Sequence, residues 1–443
     1  MSWARSLPGR QDYVKISLEQ AEGSEPIVVI DGRSPTADMV IEPLLHYVQQ
    51  IKSLNFVRHL WIDIQRFSRY YQPLPLLEEL TLDTFGDGVG TLDSLTFFAT
   101  AVNLKTFRIH LRSPILTHFR FPSLTSFRLS TSSTHVFRCE QLLDFLETSP
   151  ELQDVHMEIA AGISLEGVPS KRVVHLPKVT EFTLTLNHGQ SGYEVAAHLS
   201  CPLVKSTLLT HRILVKDMVP MEIFPASDLW KKIVGQYTAS TVEEVTLELK
   251  TSPTISCSLI FLFNLVDTLE LDFEVSADDK GGIHQPDETI YNSVLAQATR
   301  TIINHPHRSK FKRLAISHGI HNVSEVQTSH LAAQAAQLFG SLGPLDQLAI
   351  YSCDPRPYLL KHDTGNPVVF PPIRELVIWQ PEGCSDSRVA RVIERFAKSQ
   401  CRAKRPLESL NVKTRTGANS KDFNKLLEII DSVVLDPPTI NCP

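Results

Sequence analysis

The chain has 443 residues, with 43 Lys and Arg against 49 Asp and Glu and a formal net charge of −6. This near-balance excludes the basic excess of a dedicated nucleic-acid binder and the polybasic cluster of a membrane-surface anchor. No apolar run of about 18 residues, the length a membrane-spanning helix needs, occurs.

The N-terminus, Met1-Ser2-Trp3-Ala4-Arg5-Ser6-Leu7-Pro8, lacks the apolar core of a secretory signal. Cys139, Cys201, Cys257, Cys353, Cys384, Cys401 and Cys442 are odd in number, and none forms a C-x-x-C pair. That usage fits free thiols in a reducing compartment. The expected location is intracellular, cytoplasmic or nuclear.

In chain order, Pro26-Ile27-Val28-Val29-Ile30 predicts a first strand. Residues 37–51 place Val40, Ile41, Leu44, Leu45, Val48 and Ile51 at helical spacing. Residues 1–52 are therefore expected to cap the structure. From residue 53 onward one pattern returns: apolar, two others, apolar, one other, apolar. The first half holds Val57-x-x-Leu60-x-Ile62, Leu77-x-x-Leu80-x-Leu82, Leu104-x-x-Phe107-x-Ile109, Leu124-x-x-Phe127-x-Leu129, Leu152-x-x-Val155-x-Met157 and Val179-x-x-Phe182-x-Leu184. A weaker unit runs from Leu203 to Leu209. The second half holds Val242-x-x-Val245-x-Leu247, Val266-x-x-Leu269-x-Leu271, Phe311-x-x-Leu314-x-Ile316, Leu345-x-x-Leu348-x-Ile350, Ile373-x-x-Leu376-x-Ile378 and Leu407-x-x-Leu410-x-Val412.

The last two apolar positions alternate with polar residues, as in a short half-buried strand. A single unit cannot bury its apolar edge, whereas stacked units share a continuous core. Proline often precedes a unit, as at Pro122, Pro150 and Pro372, where it ends the preceding segment and favours an extended chain. Amphipathic helices are expected between strands at 141–147 (Leu142, Leu143, Leu146), 331–339 (Leu331, Ala335, Leu338, Phe339), 387–397 (Val389, Val392, Ile393, Phe396) and 421–434 (Phe423, Leu426, Leu427, Ile430). Segments 274–288 and 354–366 read as loops.

Strand and helix in alternation predict a parallel α/β arrangement. Residues 53–443 thus resemble an irregular leucine-rich-repeat solenoid, a horseshoe with strands on its concave face and helices on its convex face. Such repeats carry Asn or Cys three residues past the last apolar position. Here only Asn187 and Cys353 supply it, against Gln65, Phe85, Arg112, Ser132 and Ala160 elsewhere. Uneven repeats are therefore expected.

Three stretches resemble the repeat region of fungal, basidiomycete-type F-box proteins. They are Leu142 to Val155 (a helix, then Ser149-Pro150, then a strand), Tyr13 to Ile30, and Phe56 to Ile62. The resemblance implies a substrate-recognition region of a ubiquitin-ligase adaptor, with a target protein on the concave face. Cullin-type ligase subunits become partners if an F-box lies upstream. That module opens with Leu-Pro; here Leu7-Pro8 is followed by Gly9-Arg10-Gln11-Asp12, so the F-box itself is not evident. A stand-alone leucine-rich-repeat scaffold is the alternative.

Residues flanking the two buried strand positions point to the other sheet face. There Arg108, His110 and Arg128 form an expected basic patch, and Glu244, Glu248, Glu270 and Asp272 an acidic one. Trp61, Tyr351 and Trp379 project from the same face, and exposed aromatics are enriched at binding hot spots. Ordinary solvated charge and packing against a loop are the competing readings. His305, His307, His318 and His321 flank one strand, which separates the two pairs, so no metal site is expected. Phosphate-loop, zinc-protease, serine-hydrolase and dinucleotide motifs are absent. No catalytic residue, cofactor, nucleic-acid partner or membrane partner is expected.

Overall fold

The structure is a computed structural model. It describes residues 27–31, 51–59, 74–84, 101–111, 116, 119–131, 137–160, 163–186, 191–214, 227–237, 242–250, 255–263, 267–276, 288–318, 325–351, 355–359, 370–379, 386–413 and 423–436. The chain is a mixed α/β protein with predominantly parallel strands, and it divides into two compact units, Met1–Leu209 and Thr210–Pro443.

The first unit contains β1 (Ile27–Asp31), β2 (Ser53–His59), β3 (Glu79–Thr84), β4 (Thr106–Leu111) and β5 (Ser126–Thr131). Then come α1 (Cys139–Glu147), β6 (Asp154–Ile159), β7 (Glu181–Leu186), α2 (Ser191–Ala196) and the start of β8 (Ser206–Leu214). Strands β1 to β7 lie side by side in chain order, every pair parallel.

The six-residue pattern explains the register. Its fourth position makes one buried column, Leu54, Leu80, Phe107, Phe127, Val155 and Phe182. Its sixth makes a second, with Leu82, Ile109, Leu129, Met157 and Leu184 all buried. The first position sits in a tight turn. The amides of Leu77, Leu104, Leu124, Leu152, Val179 and Val204 donate to the carbonyl three residues back at 3.1–3.4 Å. One residue on, the carbonyls of Lys52, Glu78, Lys105, Thr125, Gln153 and Thr180 each accept two successive amides of the following repeat at 2.7–3.1 Å. Each unit therefore satisfies the backbone donors that lead into its neighbour's strand.

The second unit has α3 (Ser227–Tyr237), β9 (Val242–Lys250), β10 (Ile255–Phe263), β11 (Asp267–Ser276), α4 (Glu288–Ile303) and β12 (Arg313–His318). It continues with α5 (Glu325–Ser341), β13 (Leu345–Tyr351), α6 (Arg356–Leu359), β14 (Ile373–Trp379), α7 (Asp386–Arg402), β15 (Ser409–Lys413) and β16 (Ser432–Asp436). Its sheet runs β11-β10-β9-β12-β13-β14-β15-β16. The buried columns recur: Val245, Leu314, Leu348, Leu376 and Leu410, then Leu247, Ile316, Ile350, Ile378 and Val412. Among the described residues no helix is long and apolar enough to cross a membrane.

The layer behind the strands differs between units. In the first, Phe107 meets Phe119 at 5.1 Å and Phe121 at 5.2 Å, and Phe127 meets Phe145 of α1 at 4.6 Å. All five rings are buried. At Leu165–Val168, where the Val168 amide donates to the Leu165 carbonyl, Gly167 has φ of +85°, which requires glycine in that turn. In the second unit, Trp230 of α3 packs 5.2 Å from Phe261 of β10, and His305 stacks on Phe261 at 5.2 Å.

Several expectations are corrected. The first repeat begins at Ile51, not Val57: Leu54 and Phe56 pair with Leu80 and Leu82. Both frames fit the pattern, and the parallel partner selects the earlier one. The unit at Val266 does not pair directly with the unit at Val242. A strand absent from the pattern, β10, lies between β9 and β11 and runs antiparallel to both, while Leu269 and Leu271 remain in the buried columns through Phe261 and Leu259. The helix expected at 421–434 is a 3-10 turn at Asn424–Glu428 followed by β16. Arg356–Leu359, within a segment read as loop, is helical. The strand at Ile27 and the helices at 141–147, 331–339 and 387–397 are found within β1, α1, α5 and α7. The helix expected at 37–51 falls, apart from Ile51, outside the described residues.

Candidate functional site on the outward sheet face

On the described repeat strands, the third and fifth positions of the pattern and the one just beyond it face away from the buried columns. In the first unit this face is polar and cross-paired. Arg108 and Arg128 are register partners, with His156 next in the row, and both arginines are exposed. His110 pairs with Ser130, which pairs with Glu158. The sequence brings the two arginines and His110 together as expected, but the basic patch is interrupted by acid. Arg128 lies 3.8 Å from Asp154, which also accepts a hydrogen bond from Ser126 Oγ at 2.9 Å. On the strand edge, Lys105 bridges Glu78 at 2.8 Å, and that hydrogen bond holds the Glu78 carboxyl below its usual range. Trp61 lies outside the described residues.

In the second unit the acidic residues are not assembled as the sequence suggested. Strand β10 lies between β9 and β11, so Ile260 and Ser258 separate Thr246 and Glu248 from Glu270 and Asp272. Glu244 is opposed by Arg313 at 3.7 Å on the other side. Like charges expected on neighbouring strands are thus kept apart by an uncharged one.

Tyr351 and Trp379 are brought together. They are register partners at the ends of β13 and β14, with ring centroids 5.1 Å apart in an edge-to-face arrangement. The central outward row beneath them is Ala315, Ala349 and Val377, only 5%, 2% and 8% exposed. Small side chains in that row let the two rings lie across the sheet and cover it. Lys413 of β15, the next register partner, places its ammonium 4.9 Å from the Trp379 ring centroid. Cation–π attraction accounts for that placement.

Polar groups frame the rings. Gln347 Nε2 donates to Glu375 at 2.8 Å. Burial pushes the Tyr351 phenol up, and the negative charges of Glu244 and Glu375 push it further. Trp379 Nε1 and Asn411 Oδ1 are shielded from solvent without a hydrogen-bond partner. Sequence reasoning missed Ala315, Ala349, Val377, Asn411 and Lys413. The signal was present: from the Ile51 unit to the Val179 unit the pattern's fifth position is Asn, Thr, Arg or His, but on these three strands it is Ala, Ala and Val.

Among the histidines, His305 has a structural explanation. His305 is fully buried, and its Nδ1 accepts the His307 amide at 3.1 Å. Burial, with a smaller contribution from His307, pushes its pKa down to about 3, so it is neutral among Trp230, Phe261 and Phe311. The His318 side chain and His321 lie outside the described residues. Among the described residues, no group of three or more His, Cys, Asp or Glu is placed to hold a metal ion. Burial pushes the thiols of Cys139 and Cys201 up to about 12, which makes them inert packing groups. No protein-family model and no curated protein sequence matches the chain.

Proposed function

We propose that the protein is an irregular leucine-rich-repeat solenoid that binds a partner protein on its outward sheet face. We further propose that it is the substrate-recognition region of an F-box-type ubiquitin-ligase adaptor. The observation that carries the binding reading is the Tyr351–Trp379 pair over the Ala315–Ala349–Val377 row. Outward positions of such a sheet ordinarily carry solvated polar groups, so an apolar centre with an aromatic anchor and a charged rim suits a partner's surface. The solenoid reading is supported by the repeated turn and the paired acceptance of amides by one carbonyl per unit. The ligase reading rests on the resemblance of residues 13–30, 56–62 and 142–155 to the F-box family.

Affinity purification of the full chain from its native cells, with mass spectrometry, tests both levels. Cullin-ligase subunits together with a target protein are the expected result. A specific target without ligase subunits leaves a stand-alone scaffold. Ala349→Arg, which places a long cation under the aromatic pair, is expected to release the target. Retention of the target by that variant removes this face from the binding site.

A further inference from the structure

We propose that the outward face of the second unit docks an extended peptide segment bearing lysine or arginine, its cationic side chain held by Tyr351 and Trp379 and the carboxylates around them. The inference rests on the partner-binding reading above and specifies the chemistry of the partner. Three independent observations point the same way.

The Trp379 ring already holds a cation, the ammonium of Lys413 at 4.9 Å. That geometry suits a positive charge, and Lys413 acts as an internal stand-in that an incoming cation replaces. Carboxylates also stand near the rings: Glu375 is on the Trp379 strand, and Glu248 lies in the Tyr351 row, two strands away through Ser317. Glu375, which accepts from Gln347, and Glu244, which faces Arg313 at 3.7 Å, both place negative charge near the Tyr351 phenol. Carboxylates in these positions favour a basic segment over an acidic one.

The third observation concerns the main chain. Trp379 Nε1 is a donor without an acceptor, and Asn411 Oδ1 is an acceptor without a donor. They lie on adjacent strands two register positions apart, since Val377 pairs with Asn411 and Trp379 with Lys413. A peptide group carries one carbonyl and one N–H, and so supplies what both atoms lack. Binding moves Lys413 off the indole, uncovers these atoms and exchanges one cation for another. The occupant is therefore an extended basic segment rather than a flat apolar surface.

The test uses the full-length chain and fluorescein-labelled short peptides that alternate glycine with lysine or glycine with glutamate, read by anisotropy. The lysine peptide is expected to bind and the glutamate peptide not. Trp379→Ala is expected to weaken lysine-peptide binding about tenfold, and Glu375→Gln by a smaller factor. Lys413→Met removes the internal competitor and is expected to tighten binding about threefold. Thermal unfolding of each variant checks that it is folded; if Trp379→Ala is not, Trp379→Phe, which keeps a ring but not the indole donor, takes its place with a smaller expected loss. Equal affinity for the two peptides overturns the proposal. So does lysine-peptide binding that the Trp379 and Lys413 variants leave unchanged, because it would be diffuse electrostatic adhesion. A chain that binds no lysine peptide, yet loses its captured target on Ala349→Arg substitution, refutes this inference and leaves the broader binding reading standing. Loss of neither refutes both.

Discussion

The two units build the same strand and finish it differently. In both, the fourth and sixth positions of the pattern fall into buried columns in parallel register. In the first unit the outward face is an exchange of charges between strands, typified by Arg128 and Asp154. In the second, the corresponding row is Ala315, Ala349 and Val377, roofed by Tyr351 and Trp379. The layer behind the strands differs too. Turns, phenylalanines and helices of at most 9 residues fill it among the described residues of the first unit, whereas helices of up to 17 residues, such as α5 and α7, fill it in the second. A shared repeat dictates the common core, and single positions within it determine whether the opposite face is solvated or sticky.

The largest effects test what the units share. Phe107→Ala is expected to destabilise the first unit by about 3–5 kcal/mol, and Leu348→Ala the second by about 2–5 kcal/mol, because each empties a fully buried column position. Urea unfolding followed by separate probes for each unit measures them. A loss below 1 kcal/mol in either, marking roughly a surface position, would contradict the common core.

The next effect tests what separates them. Arginine stands in the central outward row at Arg108 and Arg128, both exposed. Introduced at Ala349, the same side chain must displace Tyr351 and Trp379. It is expected to cost about 1–3 kcal/mol and to change the near-ultraviolet circular dichroism of the aromatics. An unperturbed spectrum would mean that the second unit's face is as open as the first's.

His305 distinguishes the units by pH. Its native pKa is near 3, whereas an unfolded histidine titrates near 6.5. Between those values the unfolded chain binds a proton that the native chain refuses. Stability contributed by neutral His305 is therefore complete above pH 6.5 and falls as the pH drops toward 3, with a limiting slope of about 1.4 kcal/mol per pH unit. His305→Phe is expected to remove that component from the second unit's stability profile and leave the first unit's unchanged. Identical profiles for wild type and variant would show that His305 is solvated.

The smallest effect concerns the first unit's face. Arg128 pairs with Asp154 at 3.8 Å while remaining largely solvated. Arg128→Ala is expected to change stability by about 0.2–1 kcal/mol, less at high salt. A larger and salt-independent loss would indicate packing rather than charge pairing.

Much of the core was legible in the sequence because burial in a stacked strand imposes a short, strict pattern. Leu80, Phe107, Phe127, Val155 and Phe182 could be placed from spacing alone. The pattern does not reveal an intervening strand of opposite direction, which is why Leu269 and Leu271 read as the neighbours of Val245 and Leu247 while β10 lies between them. It also tolerates two overlapping frames, which is how Val57 displaced Ile51 as the expected start. The aromatic pair was visible as two outward residues, Tyr351 and Trp379. Its floor of alanine and valine was visible only as three exceptions at one motif position.

By itself, then, the sequence determined the repeated strand, its two buried columns and the amphipathic helices, because each follows from periodic burial along a local stretch of chain. Only the tertiary structure decided which strands are neighbours. Neighbourhood depends on backbone pairing between residues far apart in the chain. It placed β10 between the acidic strands, set Asp154 against Arg128, and brought Lys413 over Trp379. The outward face took its character from that pairing, since a side chain there is solvated, neutralised or covered according to what the next strand presents.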